Sequence, residues 1–488
     1  MDRKKRKRTK RQKSLDLSAD QINNLINLYH SGQMSHVEQV CRQLLPTYPQ
    51  SLIVLNLLGA ALQKQGQLQQ AVQVFDQVIQ IKPDLAEVYN DRGVALKKLG
   101  QLEAALDSYD RAIQLQPDYA GACYNRGVVL TELGQLEAAL DSYDRAIQLQ
   151  PDLAEVYINR GAVLTELGQL EEALTSYDRV IQMKPDYAQA YSNRGAVLTE
   201  LGQLEEALTS YDRAIQLKPD DAPAHYNRHA LLLNPNDLIP AIKCMEKAID
   251  IDPVNTQFRF ILGVLWDYLG DIPEATTHFD IVENGASLDR ARLNAWCYIK
   301  SVNKKVPAII GSNIHAFKIG IDAAVVDGLV LEFGVRFGTS IRQISALVDQ
   351  NVYGFDSFQG LPESWHNEPK GSYSTKGIIP SVPQNVTLHP GWFEETLPEF
   401  VKRHPEPVRF MNIDCDIYSS TKTVLEFFAK QIIPGTVIVF DEYIGNEYWR
   451  EDEFKAFQEA VLKYGWKYEY LCFSFMTKQV VVRIIEDS

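Results

Sequence analysis

Proline recurs every 34 residues along the first half of this chain, at Pro49, Pro83, Pro117, Pro151, Pro185, Pro219 and Pro253. That period narrows the choice of fold sharply, because a unit so short cannot bury a core of its own and must cover its apolar surface with the next unit. Small residues keep a second register at Gly59, Gly93, Gly127, Gly161, Gly195 and Gly263, and alanine a third at Ala71, Ala105, Ala139, Ala173, Ala207, Ala241 and Ala275. A glycine marks a turn inside most units, from Gly32 and Gly66 to Gly202 and Gly270. In residues 202–213, Leu204, Ala207, Leu208 and Tyr211 fall at steps of three and four, the spacing of one apolar helix stripe. Proline ends each second helix, since it lacks the amide hydrogen and pushes its predecessor out of helical geometry. The Asp that follows it (Asp84, Asp118, Asp152, Asp186, Asp220) is expected to cap the next helix.

This pattern resembles the tetratricopeptide repeat. The resemblance implies paired helices stacked into a right-handed superhelix with a concave groove, here eight units over 18–289. Residues 160–179 are identical to 194–213, and 99–118 to 133–152, so repetition by itself marks duplication rather than a functional residue. The terminal units are less regular, with His229 where glycine is expected and Asn236 at the turn of the seventh, as closing the ends of a stack requires. Asn125, Asn159, Asn193 and Asn227 share one register, with Asp91 one unit earlier. In similar arrays that register faces the groove and side-chain amides grip an extended peptide, so a protein or peptide partner is expected there. The competing reading is a duplicated residue bonded within its own turn.

At 488 residues several domains are expected. No stretch approaches the roughly 20 apolar residues of a membrane span, and no apolar leader opens the chain. Six cysteines without metal-site spacing fit free thiols, and a cytoplasmic location is expected. The net charge of −14 hides an asymmetry: residues 1–13 carry nine Lys/Arg and one Asp, a local +8, leaving −22 on the remainder. Residues 1–17 read as a basic disordered tail, and the acidic body argues against nucleic acid as substrate.

Beyond residue 290 short apolar runs alternate with polar helical stretches, the mark of βαβ units. Seven strands are expected, at 329–333, 352–355, 386–388, 409–413, 436–440, 468–475 and 479–485, the last two as an antiparallel hairpin. After the first comes Glu332-Phe-Gly334-Val-Arg-Phe-Gly338-Thr339-Ser340, glycines that admit a ligand to the backbone where strand turns to helix. Asp356 lies 24 residues past Glu332, near the spacing of an acid that binds ribose hydroxyls.

Five segments in order carry a more specific resemblance: 331–335, 353–363 with Asp356 and Ser357, 391–398 with Trp392 and Phe393, 413–421 with Asp414, and 440–443 with Asp441 and Glu442. Together they are similar to the macrocin O-methyltransferase family of class I, S-adenosylmethionine-dependent enzymes. The resemblance implies an α/β Rossmann-like domain over 326–488, after a helical linker or lid at 290–325. It implies that Glu332, Gly334, Gly338, Thr339 and Ser340 line the donor's methionine end, that Asp356 and Ser357 lie at the ribose, and that Trp392 and Phe393 flank the adenine. Members that use a divalent metal hold it at positions matching Asp414, Asp441 and Glu442, a hard oxygen set suited to magnesium, calcium or manganese rather than zinc, with magnesium the expected ion. Such a metal would activate and orient an acceptor hydroxyl, with Asp441 or a metal-bound water as base and Asp414 beside it.

Blander readings stand beside these. Asp416 is expected to cap the following helix, Tyr418 to pack, and Glu453 to match an acidic position in related sequences or to lie on a solvated helix face. Neither His389 nor His404 is tied to the site. The first functional reading is methyl transfer to a sugar hydroxyl of a glycan or glycosylated small molecule, with the repeats recruiting a partner. Its alternatives are a scaffold with an inactive methyltransferase-like domain, a protein or peptide methyltransferase, and a nicotinamide oxidoreductase, the last weakened by the absence of GxGxxG.

Overall fold

The structure, a computed structural model, describes residues 17–486, so the basic segment 1–13 lies outside the described residues. Sixteen helices come first: α1 (Ala19–His30), α2 (Met34–Leu44), α3 (Leu52–Lys64), α4 (Leu68–Ile81), α5 (Ala86–Lys98), α6 (Leu102–Leu115), α7 (Ala120–Glu132), α8 (Leu136–Leu149), α9 (Ala154–Glu166), α10 (Leu170–Met183), α11 (Ala188–Glu200), α12 (Leu204–Leu217), α13 (Ala222–Leu231), α14 (Ile239–Ile251), α15 (Thr256–Leu269) and α16 (Ile272–Glu283). The chain divides into two compact units, Met1–Leu164 and Thr165–Ser488.

In the first unit α3 packs on α4, α5 on α6 and α7 on α8. Ala71, Ala105 and Ala139 are fully buried at these contacts. The second register is small for a visible reason: a Cβ on Gly93 would lie 2.6 Å from the Tyr109 ring, and one on Gly127 2.6 Å from Tyr143. Each second helix thus presses an aromatic ring onto the bare backbone of its partner. Arg92, Arg126 and Arg160 each reach back to an Asp 16 residues earlier (Asp76, Asp110, Asp144) at 2.6–2.7 Å, tying one helix pair to the next.

One expectation about the helix starts needs correction. Asp84, Asp118 and Asp186 precede the cap position, which Leu85, Tyr119 and Tyr187 occupy without a side-chain cap bond. The proline-aspartate pair is used up in the turn, so the helix starts one residue later than the capping reading assumed. In the seventh unit Asp221, not Asp220, does cap, accepting from Ala224 N at 3.2 Å.

In the second unit α11 packs on α12, α13 on α14 and α15 on α16. Then follow α17 (Ser287–Val302), β1 (Ala308–Ile309), α18 (Asn313–Ala323), β2 (Leu329–Phe333), α19 (Thr339–Ala346), β3 (Val352–Asp356), β4 (Val386–Pro390), α20 (Phe393–Arg403), β5 (Val408–Ile413), α21 (Tyr418–Phe427), β6 (Val437–Phe440), α22 (Glu453–Tyr464), β7 (Lys467–Phe473) and β8 (Val480–Ile485). The strands form one sheet in the order β1-β7-β8-β6-β5-β2-β3-β4, parallel except for β8, which runs against β6 and β7. All seven expected strands are there. The eighth, β1, pairs in parallel with β7 at the edge. It is two residues long, too short for alternation to reveal, and it lies in the stretch read as a helical linker.

Alternate residues face opposite layers, as a strand's period of two dictates. Val330, Val352 and Val439 join the layer of α18 and α19, while Leu331, Phe355 and Phe440 join that of α20, α21 and α22. The second layer continues into the last repeats, where Phe260 of α15 meets Phe475 edge-on at 4.8 Å and Trp296 of α17 lies 5.7 Å from Phe473. Repeat helices and sheet here share one apolar core. No helix among the described residues is long and apolar enough to cross a membrane.

Candidate active site

Register brings the chemistry together. Phe333 pairs with Phe355 and Ile413, and Ile413 with Phe440, so the next residues along, Gly334, Asp356, Asp414 and Asp441, emerge side by side at the carboxyl ends of four neighbouring strands. Backbone bonds continue the ladder past the strand ends: Asp414 N donates to Phe333 O at 2.8 Å and Asp441 N to Ile413 O at 3.0 Å. Gly334 has φ +91°, and a Cβ there would lie 1.6 Å from Asp414 O. Only glycine fits where the two chain segments meet.

A cavity of about 470 Å³ opens above these ends. Gly334, Asp356, Ser357, Trp392 and Phe393 line one part of it, and Asp414, Asp416, Asp441, Glu442 and Lys478 another. Asp356 accepts from the amides of Arg336 (2.7 Å) and Phe358 (2.6 Å), which fixes its carboxylate at the cavity edge. A second chamber of about 530 Å³ shares Gly334, Arg336 and Asp414 with the first and takes in Thr339 and Ser340 at the start of α19. Gly338 is the cap residue of α19, with φ +78° and no side-chain cap bond.

Glu332 lies behind the wall, fully buried. Asn412 donates to its Oε1 at 3.1 Å and the Ser340 side chain also bonds the carboxyl, contacts that only partly offset its burial. Burial, reinforced by Asp356 and Asp441, raises its carboxyl to about 8. Enclosure likewise raises Asp441 to about 7, with Glu442 the next cause, and Asp416 to about 7, again with Glu442 next; Asp414 is pushed well above the carboxylate range by burial and then by Asp441. These acids gather more negative charge than their surroundings balance, a setting that favours a cationic ligand.

The expected metal set does not fit the side chains as they stand. Glu442 Oε1 is held by Lys478 Nζ at 2.8 Å, and Asp441 Oδ1 accepts from Gln479 Nε2 at 2.7 Å. Among the described residues no three His, Cys, Asp or Glu side chains have metal-ligand geometry.

Other side chains at the site stand differently from their blander readings, and Lys478 has no signal in the sequence. Asp416 does not cap α21, whose cap position is Ile417; it adopts φ +61° and faces the cavity. Glu453 is not on a solvated face but fully buried, accepting from Glu442 N at 3.3 Å with Oε1 unpartnered. Lys478 arrives from the turn between β7 and β8, 36 residues beyond its partner Glu442, and no local pattern signals it. His389 stacks on Phe355 and His404 on Phe400, and neither histidine lines the cavity. Tyr418 donates to Glu459 at 2.6 Å and packs as expected.

The asparagine register lies elsewhere. In the first unit Asn125 donates to Asn90 (2.9 Å) and Asn159 to the Tyr124 hydroxyl (3.2 Å). In the second, Asn193 accepts from Gln189 at 2.7 Å and Asn227 bonds the Tyr211 hydroxyl.

Residues 331–443 match a family described as a methyltransferase domain, and 59–100, 95–134, 129–168, 163–202 and 195–234 match the TPR repeat. The chain joins TPR repeats to a methyltransferase domain. Among curated proteins it is similar to 8-demethyl-8-(2,3-dimethoxy-alpha-L-rhamnosyl)-tetracenomycin-C 4'-O-methyltransferase of Streptomyces olivaceus, at 26% identity over 154 residues. That match covers 25% of this chain and 57% of the relative, so the chain spans little more than half of that enzyme's length. Solved structures similar to the repeats include YrrB, titled a TPR protein with an unusual peptide-binding site (27% identity, 37% of this chain, 92% of that one, TM-score 0.33). Another is the C-terminal part of a TPR protein from Cytophaga hutchinsonii (15% identity, 49% and 97% covered, TM-score 0.42). A methyltransferase domain implies S-adenosylmethionine as the methyl donor.

Proposed function

We propose that this methyltransferase transfers the methyl of S-adenosylmethionine to an oxygen, on a sugar hydroxyl of a glycan or glycosylated small molecule, while the repeats recruit a protein or peptide partner. The observation that carries the reading is the register-fixed row Gly334, Asp356, Asp414 and Asp441 along one cavity. When bound, the donor supplies an electrophilic methyl on a sulfonium. Asp356 then accepts from the ribose hydroxyls, with Ser357 beside it, and Trp392 and Phe393 flank the adenine. Gly334 shapes the floor, Glu332 backs the wall from behind, and Gly338, Thr339 and Ser340 present the free amides of α19.

Asp441 is our choice of base. A carboxylate raised to about 7 takes up a hydroxyl proton more readily than an ordinary one, and its site beside Asp414 keeps it at the cavity wall. The sugar acceptor rests on the Streptomyces relative, whose name records methylation on a rhamnosyl-bearing compound. Peptide capture rests on the half-buried amides of Asn125, Asn159, Asn193 and Asn227, each of which keeps hydrogen-bonding capacity beyond its bond within the array. Six free thiols favour a reducing compartment, which fits the cytoplasm.

Isothermal titration of the full chain with S-adenosylmethionine tests the donor site. Binding that is lost in Asp356→Ala is expected, equal with and without magnesium because Lys478 already occupies Glu442. No binding by the unaltered protein would overturn the reading. Mass spectrometry of cell extracts treated with wild-type or Asp414→Ala enzyme then identifies the acceptor as the species gaining one methyl group.

A further inference from the structure

The second chamber is not built by the α/β domain alone. Its far wall comes from the repeats: Thr165 and Glu166 at the end of α9, Gly168 in the turn after it, and Thr199 and Glu200 at the end of α11. Three contacts in succession seat these units on the domain. A Cβ on Gly168 would fall 2.4 Å from the Phe337 ring, Gln343 Nε2 donates to Glu200 O at 2.5 Å, and a Cβ on Gly311 would fall 2.1 Å from Ala230 O at the end of α13. Successive repeats therefore touch the loop after β2, helix α19 and the segment before α18.

The chemistry of the two walls differs in sign. On the domain side stands the start of α19, whose cap Gly338 offers no side chain to its first amides, with Thr339 and Ser340 facing the chamber. Free amides at a helix start attract a carboxylate. On the repeat side stand Glu166 and Glu200, and burial raises the Glu200 carboxyl above its ordinary range, a penalty that a bound ammonium would relieve. A cavity with a carboxylate-binding edge and an ammonium-binding edge suits a zwitterion, and it communicates through Gly334, Arg336 and Asp414 with the cleft assigned to the rest of the donor.

Resting on the donor-site reading above, we propose that the repeats complete the donor site: Glu166 and Glu200 hold the α-ammonium of the donor's amino-acid end, whose carboxylate meets the start of α19. The array is then part of the methyltransferase pocket as well as a surface for partners. Donor recognition and repeat packing become one structure.

The full chain is titrated with two ligands that share an adenosine end: S-adenosylhomocysteine, which carries the amino-acid end, and 5′-deoxy-5′-methylthioadenosine, which lacks it. In Glu166→Gln/Glu200→Gln the first ligand is expected to bind about ten-fold or more weakly, the loss of a charge-assisted hydrogen bond. The second is expected to bind as it does to the unaltered protein. Glu205→Gln, an exposed residue of α12 outside the chamber, controls for net charge and should change neither. Unchanged affinity for both ligands in the double variant, or an equal loss for both, overturns the proposal. If the unaltered protein binds neither ligand, the donor-site reading falls and this inference falls with it. If it binds both equally well, only the amino-acid end is misplaced.

Discussion

Glu332 sets the terms at the scale of single residues. Its carboxyl is buried without a counter-ion and raised to about 8, while Asp416 and Asp441 are raised to about 7, in each case first by burial. Between the ordinary carboxylate value and these raised values the folded protein binds more protons than the unfolded chain, so stability must fall as pH rises through that window. The melting temperature of the ligand-free protein should therefore drop from pH 6 to pH 9, and Glu332→Gln, neutral throughout, should drop less. Equal drops in the two proteins would mean that Glu332 ionises freely. The acids at strand ends were legible in sequence because each follows an apolar run that can only be a buried strand. The burial of Glu453 and the arrival of Lys478 were not, since one sits in a helix whose exposure depends on its neighbours and the other reaches the site from a distant turn. The metal expectation failed to fit for the same reason: nothing near residue 442 announces that Lys478 will lie against it.

Elements follow from the repeat registers, and the two kinds of glycine separate there. Gly32, Gly66, Gly100 and Gly134 hold φ of +69° to +77° with open space around them, so they serve the turn itself. Gly195 lies inside α11, and a Cβ would meet Tyr211 at 2.8 Å. Alanine would raise helix propensity there by about 1 kcal/mol, but forcing a methyl against a buried ring costs about 1–3 kcal/mol. The second effect wins. Gly195→Ala should lower the melting temperature by up to about 4 °C, although the same change on an exposed helix would raise it, and a rise would show that the ring moves aside without cost. Proline and glycine spacing made the helices legible, since both residues act on the local backbone. Cap positions were off by one because the proline-aspartate turn consumes a residue that no periodicity reports, and β1 was missed because two residues carry no period at all.

For the whole molecule the decisive fact is that the second unit contains both repeat helices and the sheet, joined through one apolar core around Phe260, Trp296, Phe473 and Phe475. A linker that merely tethered a binding array to an enzyme would not bury such rings between them. The turn at Gly168 extends this union to the loop after β2, where φ of +68° and the Phe337 ring both exclude a side chain. Gly168→Ala tests the coupling while leaving Glu166, Glu200 and the residues at the start of α19 unchanged. A left-handed alanine costs about 1–2 kcal/mol locally, and the methyl must also displace Phe337 from the turn. If the repeats brace the donor loop, hydrogen exchange in residues 334–343 should accelerate in this variant while exchange in β5 and β6, buried at the sheet centre, stays as it was. Donor affinity should weaken in parallel, since the amides at the start of α19 are offered by that same segment. Faster exchange confined to 165–170 would instead mean that the loop holds its shape unaided, and the repeats would then be neighbours of the catalytic domain rather than part of its working structure.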